Sequence, residues 1–233
     1  MEPASAIRVS IIVPVLNEAS GIAEFLKSLA LVQTEALEII LVDGGSTDQT
    51  LALASPYANR VVQSAKGRAV QMNAGATVAR GSVLLFLHAD TQLPIGALQA
   101  IDRVITQGAS WGRFDVSIRG RSPWLKLVST LMNWRSRLTG IATGDQAMFV
   151  TRLAFDAVGG FAPIALMEDI ALSTALNKLS PPACLSQQVV TSGRRWEQQG
   201  VLRTIVLMWR LRLAYFLGAD PNQLARRYQQ PKS

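Results

Sequence analysis

Four charged residues, Asp43, Lys66, Arg68 and Asp90, each stand just past the end of a strand-like run, and two adjacent acids, Glu168-Asp169, open a later helical pattern. Carboxylates so placed can bind hydroxyls, hold a hard divalent cation or accept a proton, and cationic side chains beside them can neutralise phosphate. Asp90 ends the stretch Val83-Leu84-Leu85-Phe86-Leu87-His88-Ala89-Asp90, whose first five residues are all apolar and read as a strand buried on both faces. Open α/β sheets gather ligands beyond the carboxyl ends of such strands. Each acid also has a plainer reading: Asp90 as the cap of a helix led in by Thr91-Gln92-Leu93-Pro94, and Glu168-Asp169 as charges complementing a helix dipole.

The elements that must position these residues follow from the apolar pattern. Arg8 to Val15 reads as a first strand, broken at Pro14-Val15-Leu16-Asn17-Glu18 and followed by a helix over Ser20 to Val32. Glu38 to Val42 is a second strand, ending in Asp43-Gly44-Gly45-Ser46-Thr47-Asp48; Ser46 and Gln49 have capping-box spacing for the next helix. A third strand, Arg60 to Ser64, precedes a helix that Lys66-Gly67-Arg68-Ala69 begins and Arg80-Gly81 ends, and the Val83 to Asp90 strand is the fourth. Strands alternating with helices imply a parallel, helix-covered sheet with right-handed crossovers, so the strand ends converge on one edge. Thereafter the pattern predicts a helix over Pro94 to Gln107, a strand over Ala109 to Ile118 and a helix over Pro123 to Leu138. A strand over Gln146 to Thr151, after Gly144-Asp145, precedes the helix opened by Glu168-Asp169. Val189 to Gly193 ends in Arg194-Arg195-Trp196, and a short capped helix from Asp220-Pro221 closes the chain, fraying after Tyr228.

Composition narrows the classes. The 233 residues are 49% hydrophobic and 17% charged, and no apolar block is long enough for a membrane span; Val201 to Leu217 is broken by Arg203, Arg210 and Arg212. The N-terminus, with Glu2 and only Ile11-Ile12-Val13 before Pro14, does not read as a secretory signal, so a cytoplasmic protein is expected. The single Cys184 excludes an internal disulfide and a cysteine zinc site. Residues 1–110 hold 7 basic and 9 acidic side chains, 111–140 hold 6 and 1, 141–193 hold 2 and 4, and 194–233 hold 8 and 2. The net charge of +7 is therefore confined to two segments, which points to an anionic partner. No nucleic-acid reading motif accompanies it, and nucleic acid is not the expected partner. No GxGxxG follows the first strand, which argues against a dinucleotide oxidoreductase.

Taken together, Ile12-Val13-Pro14-Val15-Leu16-Asn17-Glu18, Leu41-Val42-Asp43-Gly44-Gly45-Ser46-Thr47-Asp48, Gly67-Arg68-Ala69 with Asn73-Ala74-Gly75, Phe86-Leu87-His88-Ala89-Asp90, Gly159-Gly160-Phe161 and Glu168-Asp169 resemble the motifs of the inverting glycosyltransferases of family 2, in their order. The resemblance implies a GT-A fold: an α/β, Rossmann-like, mostly parallel sheet flanked by helices. It implies one domain over residues 1–233, with a nucleotide-sugar-binding part (1–108), an acceptor and base part (109–198) and basic C-terminal helices (199–233). It also implies a nucleotide-sugar donor, expected to be UDP-linked, and transfer of one sugar to a small or lipid-associated acceptor.

By the same resemblance, Asp43 matches the acid that binds the nucleotide base, Pro14, Asn17 and Glu18 lie in the loop over the nucleoside, and Lys66 and Arg68 belong to the donor site. Asp90 matches the last acid of the family's DxD motif, which holds Mg²⁺ or Mn²⁺ against the diphosphate, and His88 stands where the first acid would be. An imidazole could ligate Mn²⁺ or bond ribose or phosphate, and the second role is expected. Asp169 matches the base that deprotonates the acceptor hydroxyl, with Glu168 bonding the sugar or acceptor. Arg194-Arg195-Trp196 resembles the QxxRW motif of processive members without its Gln, which argues against polymerisation and leaves contacts to pyrophosphate or acceptor. Asp145, in Gly144-Asp145-Gln146, is either an acceptor ligand or a turn residue. The alternative to an enzyme is a module that kept the fold and binds a nucleotide or a membrane without turnover. Val201 to Leu217 places Leu202, Ile205, Val206, Trp209, Leu213 and Phe216 at helical spacing, so it either docks on the domain or, with the Trp124 to Arg137 segment, lies peripherally on an anionic membrane surface. The sequence leaves the oligomeric state open.

Overall fold

The computed structural model describes residues 9–32, 34 and 36–229. The chain opens with β1 (Val9–Val15), α1 (Ile22–Ala30), β2 (Leu37–Asp43), α2 (Thr50–Ala54), β3 (Arg60–Gln63), α3 (Arg68–Val78) and β4 (Val83–Phe86). Arg8, expected to begin the first strand, lies outside the described residues. There follow β5 (Thr91–Gln92), α4 (Ala97–Thr106), β6 (Trp111–Arg119), α5 (Trp124–Thr139), β7 (Phe149–Thr151), α6 (Arg152–Ala157), α7 (Glu168–Asn177), β8 (Ala183–Ser192), α8 (Arg194–Gln199), α9 (Val201–Phe216) and α10 (Pro221–Gln229). The eight strands form one sheet in the order β3-β2-β1-β4-β7-β6-β8-β5. The first four are parallel, β7 runs antiparallel to both its neighbours, β6 and β8 are parallel, and β5 is antiparallel to β8.

Alternation along the inner strands builds a core on each face. Ile11, Val13, Ile39, Leu41 and Leu85 turn towards α1 and α4, while Ile12, Ile40, Val42, Leu84 and Phe86 turn towards α3, α6 and α7. α3 can lie close to the sheet because Gly75 faces it: a Cβ there would come within 2.5 Å of Ile12 Cγ2 and 2.9 Å of Val42 Cγ2. A third, smaller cluster, built on Met167, Ile170, Leu211 and Leu224, joins α9 and α10 to the start of α7.

Three expectations change in ways that affect the site. The β4 ladder stops at Phe86; Leu87 stays buried, and the chain turns over His88-Ala89-Asp90, with Thr91 N–H donating to His88 O at 3.0 Å. Thr91-Gln92 then pairs with β8 and α4 begins only after Gly96, so Asp90 caps no helix. The Ser46–Gln49 capping box does not form. The Ser46 N–H is taken by the Asp43 carboxylate and its hydroxyl accepts from Asn17 N–H at 3.0 Å, and α2 starts at Thr50. Gln146 belongs to a 3₁₀ turn (Gly144–Gln146) closed by a Thr143–Gln146 capping box, which delays β7 to Phe149.

Helix α9 divides its faces differently from the expected stripe. Thr204 and Leu211 are buried against the domain, while Leu202, Val206, Trp209, Leu213 and Phe216 are 55–67% exposed. Of the expected apolar face, Ile205 alone packs against the core.

Candidate functional site

The loops after β1 and β2 are laced into one wall. Asp43, 1% exposed, accepts through its carboxylate from the N–H groups of Gly45 (3.2 Å) and Ser46 (3.0 and 3.1 Å). Asn17, at φ 55°, accepts from Thr47 N–H at 2.9 Å, and Glu18 N–H donates to Thr50 Oγ1 at 2.7 Å. Beneath them Gln71 of α3 donates from Nε2 to Val15 O (2.9 Å) and Val42 O (2.8 Å), the carbonyls at the carboxyl ends of β1 and β2. These bonds satisfy the backbone where the ladder ends and fix the loops to the sheet.

Beyond this wall lies a cavity of about 180 Å³ lined by Glu18, Glu24, Phe25, Asp90, Arg119 and Arg194, among others. Burial and then the charge of Asp90 raise the pKa of Glu18 above that of an ordinary glutamate, with Arg194 and Arg68 opposing. Asp90 is exposed, and Thr91 Oγ1 donates to it at 3.3 Å. Among the described residues no three His, Cys, Asp or Glu side chains gather as a ready-made metal site. The chemistry fits a divalent cation that shares its ligands with substrate: hard carboxylate oxygens, Asp90 open and Glu18 beside it, with room for phosphate and water oxygens.

On the other side of the 88–90 turn, a narrower cleft is lined by Arg68, Phe86, His88, Gly144, Glu168 and Asp169, among others. Asp169, at the first turn of α7, accepts from Gly144 N–H and Ile170 N–H, both at 2.8 Å, which fixes the plane of its carboxylate. Glu168 is 6% exposed, and burial together with the adjacent Asp169 pushes its pKa up to about 7. His88 Nδ1 lies 3.4 Å from Asp145 Oδ1. Its ring packs on Gly144, where a Cβ would come within 2.6 Å of His88 Cε1 and Nε2. Burial disfavours the Asp145 charge, but His88, then Arg68 and Arg212, outweigh it and lower its pKa.

Arginines surround this acidic group. Arg68 keeps an exposed edge; crowding works against its charge, but Glu168, Tyr228, Asp145 and Asp169 more than offset that. Arg113 is fully buried in β6 and pairs with Asp115, which also accepts from Arg137 Nη2 at 2.7 Å. Arg135 and Arg212 lean in from α5 and α9. Burial and then Arg212 press the Arg135 pKa down to about 10, and burial lowers that of Arg212, with Asp169 and Asp145 opposing. Nε and Nη2 of Arg135 and Nε of Arg212 are buried with no hydrogen-bond partner. Unpaired guanidinium edges beside a carboxylate are suited to receive an anionic group.

The candidate residues thus fall into two groups on either side of one turn. Glu18, Asp90 and Arg194 line the first cavity, and Arg68, His88, Glu168 and Asp169 line the second, with Asp145 against His88. Asp43 and Asn17 hold the loop wall, Pro14 lies half-buried one residue before the end of β1, and Lys66 is exposed ahead of α3. Trp196 packs against the main core and lines neither cavity; of Arg195 only the backbone in α8 is described. Sequence reasoning passed over Gln71, Gly144, Arg135 and Arg212. The available signal for Arg212 was its place next to Leu211, at the edge of the face opposite the Trp209 stripe.

Comparison with known proteins agrees with this geometry. The model of "Glycosyl transferase family 2" matches residues 10–161. The PGL/p-HBAD biosynthesis glycosyltransferase of Mycobacterium bovis is 40% identical over 91 residues, 36% of this chain and 36% of that protein. The undecaprenyl-phosphate 4-deoxy-4-formamido-L-arabinose transferase of Pseudomonas aeruginosa is 31% identical over 160 residues, 62% of this chain and 46% of that protein. The chain thus spans less than half the length of these curated relatives. Among solved structures, the mannosyltransferase PcManGT of Pyrobaculum calidifontis, in complex with GDP-Man and Mn²⁺, superposes with a TM-score of 0.66 at 22% identity, covering 99% of this chain and 67% of that one. S. aureus TarS 1-349 in complex with UDP superposes with a TM-score of 0.65 at 21% identity, covering 80% and 60%. These neighbours share the GT-A-like fold, a mixed sheet flanked by helices, and the family match over residues 10–161, more than half of the chain, shows that it belongs to glycosyl transferase family 2.

Proposed function

We propose that this chain is an inverting glycosyltransferase that moves one sugar from a nucleotide-sugar, UDP-linked, to a small or lipid-associated acceptor. The observation that carries the reading is the acidic pair of buried Glu168 and half-buried Asp169, with Asp169 held by backbone N–H groups and arginines close by, one turn away from the open carboxylate Asp90. In this reading Asp43, Pro14, Asn17, Glu18, Lys66 and Arg68 serve the nucleoside and its phosphates. Asp90, in a His88-Ala89-Asp90 sequence that replaces DxD, would hold Mg²⁺ or Mn²⁺, with Glu18 beside it. The bound cation supplies neutralisation of the charge that grows on the leaving phosphate.

Asp169 takes the proton of the acceptor hydroxyl as its oxygen bonds to the anomeric carbon, and the bond from that carbon to the phosphate oxygen breaks on the opposite face, which inverts the centre. Glu168, whose pKa burial and Asp169 push up to about 7, donates a hydrogen bond to the sugar or acceptor in its neutral form. Asp145 keeps His88 oriented, and His88 contacts the donor. Arg135 and Arg212, with Arg194, offer guanidinium edges to pyrophosphate or to an anionic acceptor. A UDP-linked donor is supported by the fold neighbour bound to UDP, with GDP-Man in a second neighbour as the other candidate. The relative named for undecaprenyl phosphate supports a lipid-associated acceptor.

Calorimetric titration with UDP, GDP and their sugars, with and without Mn²⁺, tests the donor site. One nucleotide should bind only with metal, and Asp90→Ala should abolish that binding. Asp169→Asn should bind normally and fail to transfer. Failure of every nucleotide to bind would favour the non-catalytic alternative, and transfer by Asp169→Asn at the parent rate would remove Asp169 as base.

A further inference from the structure

Among the described residues, ten of the nineteen large apolar side chains left exposed belong to two helices. On α5 they are Trp124, Leu127, Leu131, Trp134 and Leu138, 48–65% exposed, and on α9 Leu202, Val206, Trp209, Leu213 and Phe216, 55–67% exposed. The steps are alternately three and four residues in both sets, so each forms one stripe along one side of its helix. Each helix has 16 residues and runs about 24 Å. Neither stripe is the face that holds its helix to the domain. α5 is anchored by Leu125 and Val128, and α9 by Thr204 and Leu211.

The two helices pack on the same core. Leu125, Val128 and Met132 of α5 share one core cluster with Trp196, Val201 and Ile205 of α8 and α9. Just before α5, Arg121 N–H donates to Glu197 of α8. Towards the far end, the charge of Arg212 of α9 adds to burial in lowering the pKa of Arg135 of α5. The start of α5 thus lies near α8, and Arg135, late in α5, lies near Arg212, late in α9.

The charge around the stripes has one sign. Neither helix contains Asp or Glu, and Lys126, Arg203 and Arg210 are exposed on them, with Arg121 ahead of α5. No helix among the described residues is long and apolar enough to cross a membrane. Three of the five tryptophans, Trp124, Trp134 and Trp209, lie in the two stripes, and tryptophan beside basic residues is the pattern of a helix lying in a bilayer interface. A second copy docking here would set arginines against arginines, without an acid in either helix to pair them.

We infer that α5 and α9 together form a docking surface for an anionic lipid bilayer, on which the chain lies peripherally with both stripes at the level of the head groups. The same two helices bring Arg135 and Arg212 close enough to Asp169 for its charge to oppose the lowering of their pKa values by burial. The inference rests on exposure and charge and does not depend on the catalytic reading.

The test is sedimentation of the full chain with vesicles of phosphatidylcholine alone or of phosphatidylcholine with one third phosphatidylglycerol, without substrate. Binding should be at least about tenfold tighter to the anionic vesicles, should weaken in high salt, and should shift tryptophan emission to the blue. Trp134→Ser with Trp209→Ser, and separately Arg203→Glu with Arg210→Glu, should each lose at least about tenfold in vesicle affinity while circular dichroism is unchanged. Equal binding to both vesicle types, no binding to either, or binding untouched by both double variants would overturn the inference. So would a dimer that the tryptophan pair abolishes, with no vesicle binding, since the stripes would then be a self-interface.

Discussion

Glu168→Gln isolates the electrostatic cost built into the acidic pair. The folded protein holds the Glu168 proton more tightly than the unfolded chain does, with a pKa of about 7 against an ordinary 4.5. Its contribution to stability is therefore complete below about pH 4.5 and is lost as pH rises through about 7. The difference of about 2.5 units corresponds to roughly 3 kcal/mol once the carboxylate is ionised in both states. Glutamine keeps the shape of the neutral acid at every pH. Wild type and variant should thus have similar stability near about pH 4.5, and the variant should lead by up to about 3 kcal/mol near about pH 8, or roughly 6–12 °C in Tm. Thermal unfolding of both proteins at several pH values across that range measures the gap directly. A gap that stays constant from acid to alkaline pH would show that Glu168 ionises in the folded protein as it does in the unfolded chain, and the account of the buried pair would be wrong.

Other substitutions probe the supports of the site. Gly144→Ala places a methyl group where the His88 ring lies; it should cost about 1–3 kcal/mol in stability and move the imidazole proton resonances, which are unambiguous because the chain has one histidine. Unchanged resonances would mean that the ring is not held there. Gln71→Met removes one donor from the carbonyl of Val42 and one from that of Val15, which keeps the Gly44 N–H, and should destabilise the protein by about 1–3 kcal/mol in denaturant unfolding, with weaker nucleotide binding. Gly75→Ala should lose about 1–3 kcal/mol because its methyl group would overlap Ile12 and Val42; a neutral result would show that α3 can lift from the sheet at no cost.

The parallel half of the sheet was legible because its strands are continuous apolar runs and its helices have clear starts and stops. Where several polar groups compete for the same partner, local rules misled. Ser46 has the spacing of a cap, yet Asp43 and Asn17 occupy its N–H and hydroxyl, and that outcome depends on β1 and β2 lying side by side. His88 and Asp90 read as neighbours on one strand end. The chain instead turns between them and sends them to different cavities, because Thr91-Gln92 is captured by β8, about one hundred residues further on. Arg135 and Arg212 could not be assigned for a related reason. Their helices have basic residues on several sides, and only the docking of α5 against β6, and of α9 with α10 against the start of α7, selects which arginine turns inward. The stripe on α9 was visible as a period, but which side of a helix meets the domain is a tertiary fact.

The division of the acids by the 88–90 turn bears on how the proposed transfer must run. A donor whose diphosphate reaches Asp90 and whose sugar is attacked from the side of Asp169 has to lie across His88-Ala89, with its anomeric carbon above the turn. His88 is then the side chain beneath the sugar, which accounts for an imidazole where a carboxylate would add negative charge beside Glu168 and Asp169. Burial already pushes the Glu168 pKa upward, and a third acid within the same cleft would raise it further. On this reasoning His88→Asp, although it restores the spacing of two acids around Ala89, should not improve the enzyme. It should stabilise the folded state less than the parent above neutral pH and should lower transfer more than donor binding. A His88→Asp variant with parental transfer and an unchanged pH dependence of unfolding would show that the turn tolerates a carboxylate, and that the histidine is there for some purpose other than charge.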